Sequence, residues 1–341
     1  MLNIKRSLAA LAGVVMIGVA VPATAATTQQ SQSQSQLAQA LPSTISTLTW
    51  NVCGTRDGCP NKEKPQTKVD EIKRQVERDP SIGVVMVQET CEDAHSKPLL
   101  KALEDASGSE WILQHRTANF VGTTKPIKCD IPGTGGGGGG VAVAMKKFPG
   151  TTPMQWNYTF PGTRGLEHVD GEAEKPRTNY TTQGMACVGA NSSNPANKIV
   201  ACTSHFVHTG VHRQQAIRAA SARDMAAEGR KWQRQGYRTV LGGDLNTKAG
   251  SPRLAPLRAF SFETDDDDRC STSWSDIVPD PRDCGNVAGK IDHIFFGDKG
   301  LRHVDGDVLY SASEDGTSQA YASREVSDHW MLKGTVRTTR M

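Results

Sequence analysis

"RTVLGGDLNT", residues 238–247, runs from an apolar stretch into two glycines and then sets Asp244 and Asn246 on either side of Leu245. The apolar part has the length and bounding residues of a buried strand. Gly242 and Gly243 carry no side chains, so the strand end is as thin as a backbone can be made. Alternation at period two turns Asp244 and Asn246 the same way and Leu245 toward the core. The stretch reads as a strand that delivers polar groups to a site.

Other apolar runs end in the same manner. "LTWN" stops at Asn51, "VMVQE" at Glu89, "CTSH" at His205, "IDH" holds Asp292 and "SDH" ends on Asp328 and His329. Each has an ordinary reading alone: Asn51 as a turn residue, Glu89 as a surface acid, His205 as a satisfied core histidine, Asp328 as a helix N-cap. Together they describe one rim of a sheet, where rigid elements hold converging side chains. Carboxylates and an amide without thiolates suit a hard, oxygen-seeking ion such as Mg²⁺ or Ca²⁺. Imidazoles titrate near neutrality and move protons to or from oxygen. A metal with an acid and a base hydrolyses phosphate esters.

The rest of the chain bounds this reading. Residues 1–25 combine Lys5 and Arg6, an apolar run from Leu8 to Val21 and small residues at Ala23 and Ala25, the pattern of a cleaved secretory signal. The run is shorter than the roughly 20 apolar residues that span a bilayer, so no membrane anchor is expected after cleavage. Loss of Lys5 and Arg6 lowers the formal charge of +3 by two, which leaves no strong field to pull nucleic acid or membrane. Residues 26–42 are rich in Gln, Ser and Thr and read as a disordered leader before a single domain over residues 43–341. Eight cysteines in an exported chain favour disulfides over zinc, the more so without a CxxC spacing. Cys53 with Cys59 and Cys270 with Cys284 are the expected local pairs.

Strand candidates are "STLTWNV", "IGVVMVQE", "VAVAMK", "GMACVGA", "KIVACTSHF", "RTVLGG", "KIDHIFF" and "DVLYSA". Helices are read at "KVDEIKRQVERD", with Val69, Ile72 and Val76 on one face, and around Ile217, Ala220, Met225 and Trp232. Helices are too few for a regular βαβ repeat, and a two-layered sheet core with flanking helices fits better. The hexaglycine Gly135 to Gly140 lacks the Lys-Ser/Thr of a P-loop and reads as a flexible turn before a strand. Asp265 to Asp268 is read as a solvated loop rather than a calcium site, and the basic helix "GVHRQQAIRAASAR" as an exposed face or a phosphate-backbone contact.

In order and rough spacing, "LTWN", "VQE", "TSH", "GGDLN", "IDHIFF" and "SDHW" resemble the endonuclease/exonuclease/phosphatase superfamily, with its deoxyribonuclease I-like fold, from Trp50 to Trp330. The resemblance implies an α+β fold, a four-layer α/β/β/α sandwich of two packed mixed sheets. It implies a metal group of Glu89, Asn51 and Asp328, with Mg²⁺ the expected cofactor and Ca²⁺ or Mn²⁺ as alternatives. It places His205 on the scissile phosphate, Asp244 and Asn246 on phosphate and attacking water, Asp292 behind His329, and Arg177 on the phosphate, with Arg164 as its competitor. The carboxylate loop that holds the first histidine in deoxyribonucleases has no match between Trp111 and Lys128, so His205 is left as either base or acid. His208 and His212 read as solvated loop residues, and His293 should face away from Asp292.

The expected function is a secreted, extracellular, monomeric metal-dependent phosphodiesterase, a nuclease acting on DNA or RNA. A phosphatase or sphingomyelinase-type enzyme of the same fold is the alternative; 6% aromatic residues and no run of apolar aromatics count against membrane lipid. A catalytically inactive binding module would not require both Asp292 and His329.

Overall fold

The computed structural model describes residues 41–55, 59, 61–121, 123–131, 133–134, 137–164, 166, 181–208, 212–264, 290–309 and 326–340. The expected signal, residues 26–40 of the Gln/Ser-rich leader, Arg177, Asp265 to Asp268, Cys270 and Cys284 lie outside them, whereas Leu41, counted with the leader, is buried in the core between the sheets.

Twelve strands form two six-stranded sheets. The first contains β1 (Thr44–Asn51), β2 (Ile82–Cys91), β3 (Trp111–Thr117), β4 (Gly139–Lys146), β11 (Leu301–Leu309) and β12 (Met331–Thr338), in the order β11-β12-β1-β2-β4-β3. The second contains β5 (Thr152–Thr159), β6 (Gly184–Asn191), β7 (Ile199–His205), β8 (Arg238–Asp244), β9 (Ser261–Glu263) and β10 (Asp292–Gly297), in the order β5-β6-β7-β8-β10-β9. Both sheets are mixed, since β1 and β2 are parallel, as are β7 and β8, while the other pairs are antiparallel.

The central strands read as continuous apolar runs because both of their faces are covered. In β2, Val84 and Met86 enter the core between the sheets, which also holds Val143, Val188, Val240 and Phe296. Val85 and Val87 point outward into a second core. There they meet Val69, Ile72 and Val76 of helix α1 (Pro65–Arg78) and Leu99 and Leu103 of helix α2 (Lys97–Ser107). The long helix α3 (His212–Arg234) covers the far side of the second sheet with Ala222, Met225 and Ala226, against Cys202, Leu241 and Phe295. The layers are helix, sheet, sheet, helix. Each buried Val, Leu, Ile or Phe contributes about 1.5–3 kcal/mol, so three contiguous cores are ample to fix the register of the sheets.

Disulfides join Cys53 to Cys59, as the spacing suggested, Cys91 to Cys129 and Cys187 to Cys202. The glycine-rich segment differs from a plain turn: Gly139 and Gly140 already belong to β4, and a Cβ on Gly140 would lie 1.9 Å from the Arg116 carbonyl oxygen of β3. The last glycines serve close strand approach. Among the described residues no helix is long and apolar enough to cross a membrane.

Candidate active site

Strand direction gathers the site. The parallel pair β7 and β8 ends with His205 opposite Asp244, and antiparallel β10 begins with Asp292 opposite the same Asp244. Three polar side chains therefore stand in one row across adjacent strands of the second sheet. In the first sheet β1 ends at Asn51 beside Gln88 of β2, and β12, antiparallel to β1, starts at the same rim just after His329.

Glu89 reaches the rim through a backbone irregularity. The pairing of β2 with β4 slips between Gln88 and Thr90, and Glu89 sits at φ 51° in the left-handed region. Gln88 stays between the sheets, donating to Thr49 Oγ1 and Thr203 Oγ1 at 3.1 and 2.8 Å. A bulge of this kind re-aims one side chain without disturbing the strand on either side. Asn51 then bridges the two sheets: its Nδ2 donates to Glu89 Oε1 and to Asp244 Oδ2, both at 3.1 Å, while its Oδ1 accepts the Cys53 amide at 2.9 Å.

Asp244 is the centre of the cluster. Its Oδ1 accepts the Asn246 amide at 2.9 Å, and its Oδ2 lies 3.4 Å from His205 Nε2 and 3.7 Å from His329 Nε2. Burial opposes its charge, but the hydrogen bond and charge of His205, the charge of His329 and the Asn246 amide outweigh it and hold the carboxyl well below its usual range. His329 is fixed from behind, with Nδ1 2.9 Å from Asp292 Oδ2. Burial pulls its pKa down, yet the charge and hydrogen bond of Asp292, then the charges of Asp244 and Asp328, raise it to about 10. For His205 the same contest, burial against Asp244 and Glu89, also ends in a raised pKa. Its side chain is 27% exposed where that of His329 is 5%, so His205 is the imidazole that meets solvent. Asp328 Oδ1 lies 4.0 Å from His329 Nε2.

The structure thus brings together Asn51, Glu89, His205, Asp244, Asp292, Asp328 and His329. Asn246 differs in detail. It lies past the end of β8 at φ 46°, and its Nδ2 turns to the Phe206 carbonyl oxygen at 2.9 Å, so strand alternation does not aim it alongside Asp244. The two glycines also have another reason. A Cβ on Gly242 would stand 2.4 Å from the His293 carbonyl oxygen, and one on Gly243, at φ 124°, 2.1 Å from that of Ser204. The neighbouring strands, not a ligand, occupy the space the glycines leave. Arg164 and His208 are exposed, and His293 does face away from Asp292.

Three supporting residues carried no sequence signal. Thr55 Oγ1 donates to Glu89 Oε2 at 3.4 Å. Ser327 Oγ donates to the Asn51 carbonyl oxygen at 2.6 Å and accepts the His329 amide at 3.2 Å, joining β1 to the β12 entry. Lys68, on α1, is fully buried and donates to the carbonyl oxygens of Val52 and Cys53. Burial lowers its pKa to about 8 against the pull of Asp328 and Glu89. A lysine beside Val69 on an apolar helix face reads as the edge of an amphipathic stripe, which hides this contact.

A buried carboxylate between two imidazoles, one of them fixed from behind by a second carboxylate, is a phosphoester-hydrolase type of arrangement. The profile of the endonuclease/exonuclease/phosphatase family matches residues 48–329, and the chain belongs to that family. No curated protein sequence matches the chain significantly. Among solved structures, the human Nocturnin catalytic domain with bound sulfate is similar at 14% identity and TM-score 0.55, over 87% of this chain and 94% of that one. A family protein from Bacteroides thetaiotaomicron is similar at 13% identity and TM-score 0.54, over 89% and 100%. D. rerio TDP2 complexed with a single-strand DNA product is similar at 14% identity and TM-score 0.53, over 87% and 100%. These likenesses show the deoxyribonuclease I-like fold, two packed mixed sheets between helices.

Proposed function

We propose that the protein is a secreted, divalent-metal-dependent phosphodiesterase that cleaves nucleic acid. The observation that carries the reading is the placing of Asp244 Oδ2 between two imidazoles, 3.4 Å from His205 and 3.7 Å from His329, with the second held by Asp292 at 2.9 Å.

The donor set fits a hard cation. Glu89 and Asp328 offer carboxylate oxygens within the cluster, in keeping with the one or two carboxylates that magnesium takes, while Asn51 directs its Nδ2 at Glu89 and would serve by holding that carboxylate in place. When bound, the ion would neutralise charge on the phosphoryl oxygens. Asp244, held ionised, orients the attacking water at Oδ2 and relays its proton to the neighbouring His205 Nε2, 3.4 Å away, once that ring has given up its own. His329 stays protonated below about pH 10 and donates from Nε2 to a phosphoryl oxygen, its ring fixed by Asp292. His205, whose protonated form Asp244 and Glu89 favour and which meets solvent, gives its proton to the leaving oxygen and is recharged by the water proton relayed from Asp244.

Nucleic acid is favoured over lipid because Val304 is the one large apolar side chain exposed among the described residues. Entry into a membrane surface takes a contiguous apolar patch. The neighbour from D. rerio is complexed with a DNA product, which supports the same substrate class here. Three disulfides among the described residues support an oxidising, extracellular destination.

Supercoiled plasmid incubated with the purified chain, with Mg²⁺ and Ca²⁺ present or chelated, tests the reading beside a His205→Ala, His329→Ala double variant. Metal-dependent nicking that the variant lacks is expected. No nicking by folded wild type, with turnover of sphingomyelin or phosphorylated inositols, would replace the substrate.

A further inference from the structure

The disulfide Cys53–Cys59 closes against the site itself. Both sulfurs and a Glu89 carboxylate oxygen lie within 4.8 Å of one another. The ligand atoms of a tetrahedral zinc ion stand about 3.5–4 Å apart, with Zn–S near 2.3 Å and Zn–O near 2.1 Å. Once the S–S bond is broken, rotation about the Cα–Cβ bond of either cysteine is the movement that would part the two sulfurs around such an ion beside Glu89.

Access singles out this disulfide among the three described. Cys91, Cys129, Cys187 and Cys202 are each 2% exposed or less, whereas Cys59 is only half-buried. Exchange begins with attack of an external thiolate on a reachable sulfur. Cys53 would hold its place afterwards, because its amide donates to Asn51 Oδ1 and its carbonyl oxygen accepts Lys68 Nζ at 2.8 Å.

We propose that reduction of Cys53–Cys59 converts this edge of the site into a soft-metal site, in which both thiolates and Glu89 bind one ion of the zinc class. An external dithiol delivers two electrons and two protons to the S–S bond and leaves as its own disulfide. Metal binding then displaces the two thiol protons. The consequence for catalysis rests on the proposed function: Glu89, drawn to a zinc ion, is lost to the hard cation, so the reduced, zinc-loaded protein is inactive and the oxidised protein active. The metal site itself stands apart from that reading.

The experiment uses the whole chain, reduced under native conditions, freed of reductant without air and titrated with Co²⁺ as the zinc probe. Alkylation mapped by mass spectrometry should label Cys53 and Cys59, and a near-ultraviolet thiolate-to-cobalt charge-transfer band should rise to one ion per chain. The band should be absent from oxidised protein and from a Cys53→Ser, Cys59→Ser variant, and Glu89→Gln should weaken binding at least tenfold with the band retained. A reduced wild type with both cysteines labelled but no band would overturn the proposal, as would a band of equal strength in the double serine variant. Because no substrate is present, neither result depends on whether the protein cleaves nucleic acid.

Discussion

Strand β10 carries two carboxylate–histidine pairs back to back, and they differ in one nitrogen. On one face Asp292 holds His329 Nδ1 at 2.9 Å; on the other, Glu263 Oε1 lies 2.6 Å from His293 Nδ1. The second nitrogen of His293 is 2.7 Å from the Thr247 carbonyl oxygen, and Lys290 Nζ stands 3.4 Å from Glu263, so that pair is closed by its own surroundings. The second nitrogen of His329 has, among the described residues, carboxylates at longer range, Asp244 at 3.7 Å and Asp328 at 4.0 Å, distances that leave room for a reacting group. A carboxylate fixes a ring in both places, and it is the His329 Nε2 to which the proposed mechanism gives chemistry.

The sharpest way to break that comparison is to replace each histidine. His329→Ala should lower kcat/KM by about a thousandfold or more, since it removes a proton donor and a charge that act in the transition state. If plasmid nicking falls less than tenfold, the dyad is not chemical. His293→Leu should act on stability instead. It leaves Glu263 with Lys290 and Arg258 but without its closest partner, a cost of about 2–4 kcal/mol in urea unfolding, with activity per folded molecule within a few-fold of wild type. A fall in activity without a loss of stability would dissolve the distinction.

Acid and alkali separate the pairs more gently. His329 has a raised pKa, so its contribution to stability is complete below its ordinary value of 6.5 and fades as pH rises through about 10. Glu263 keeps its charge down to about 2: burial opposes this, and the His293 hydrogen bond and charge, then Lys290, outweigh it. Its contribution is complete above the ordinary 4.5 and fades as pH falls through about 2. Proton NMR of metal-free protein should find the His329 ring protonated at pH 8, and a ring neutral at that pH would remove it as donor.

The sequence showed the site better than its scaffold. Asn51, Glu89, His205, Asp244, Asp292 and His329 stand where buried strands end, and strands covered on both faces announce themselves as apolar runs. Elements without such a run do not. In β5, Trp156 and Tyr158 alternate with exposed residues, and β12 combines Leu332 and Val336 with Lys333 and Gly334, so neither has a run to read. Helix α2 buries only Leu99, Ala102 and Leu103. What was not legible within the site depends on contacts distant in sequence: Ser327 on the Asn51 carbonyl oxygen, Lys68 under Cys53, and the left-handed turn that aims Glu89. The glycines of "GGDLN" were legible as a need for thinness, though not for whose benefit.

Strand β12 pairs with β1 from Thr44 opposite Arg337 to Thr49 opposite Leu332, so the first strand of the domain waits for the last. A ribosome or a translocation pore delivers the chain in order, and until residues 327–338 emerge β1 has no neighbour on that side and the rim has no second imidazole. Contacts of such sequence separation close late in folding. A chain cut before residue 327 would therefore lack both the strand that closes β1 on that side and the His329 ring of the candidate site.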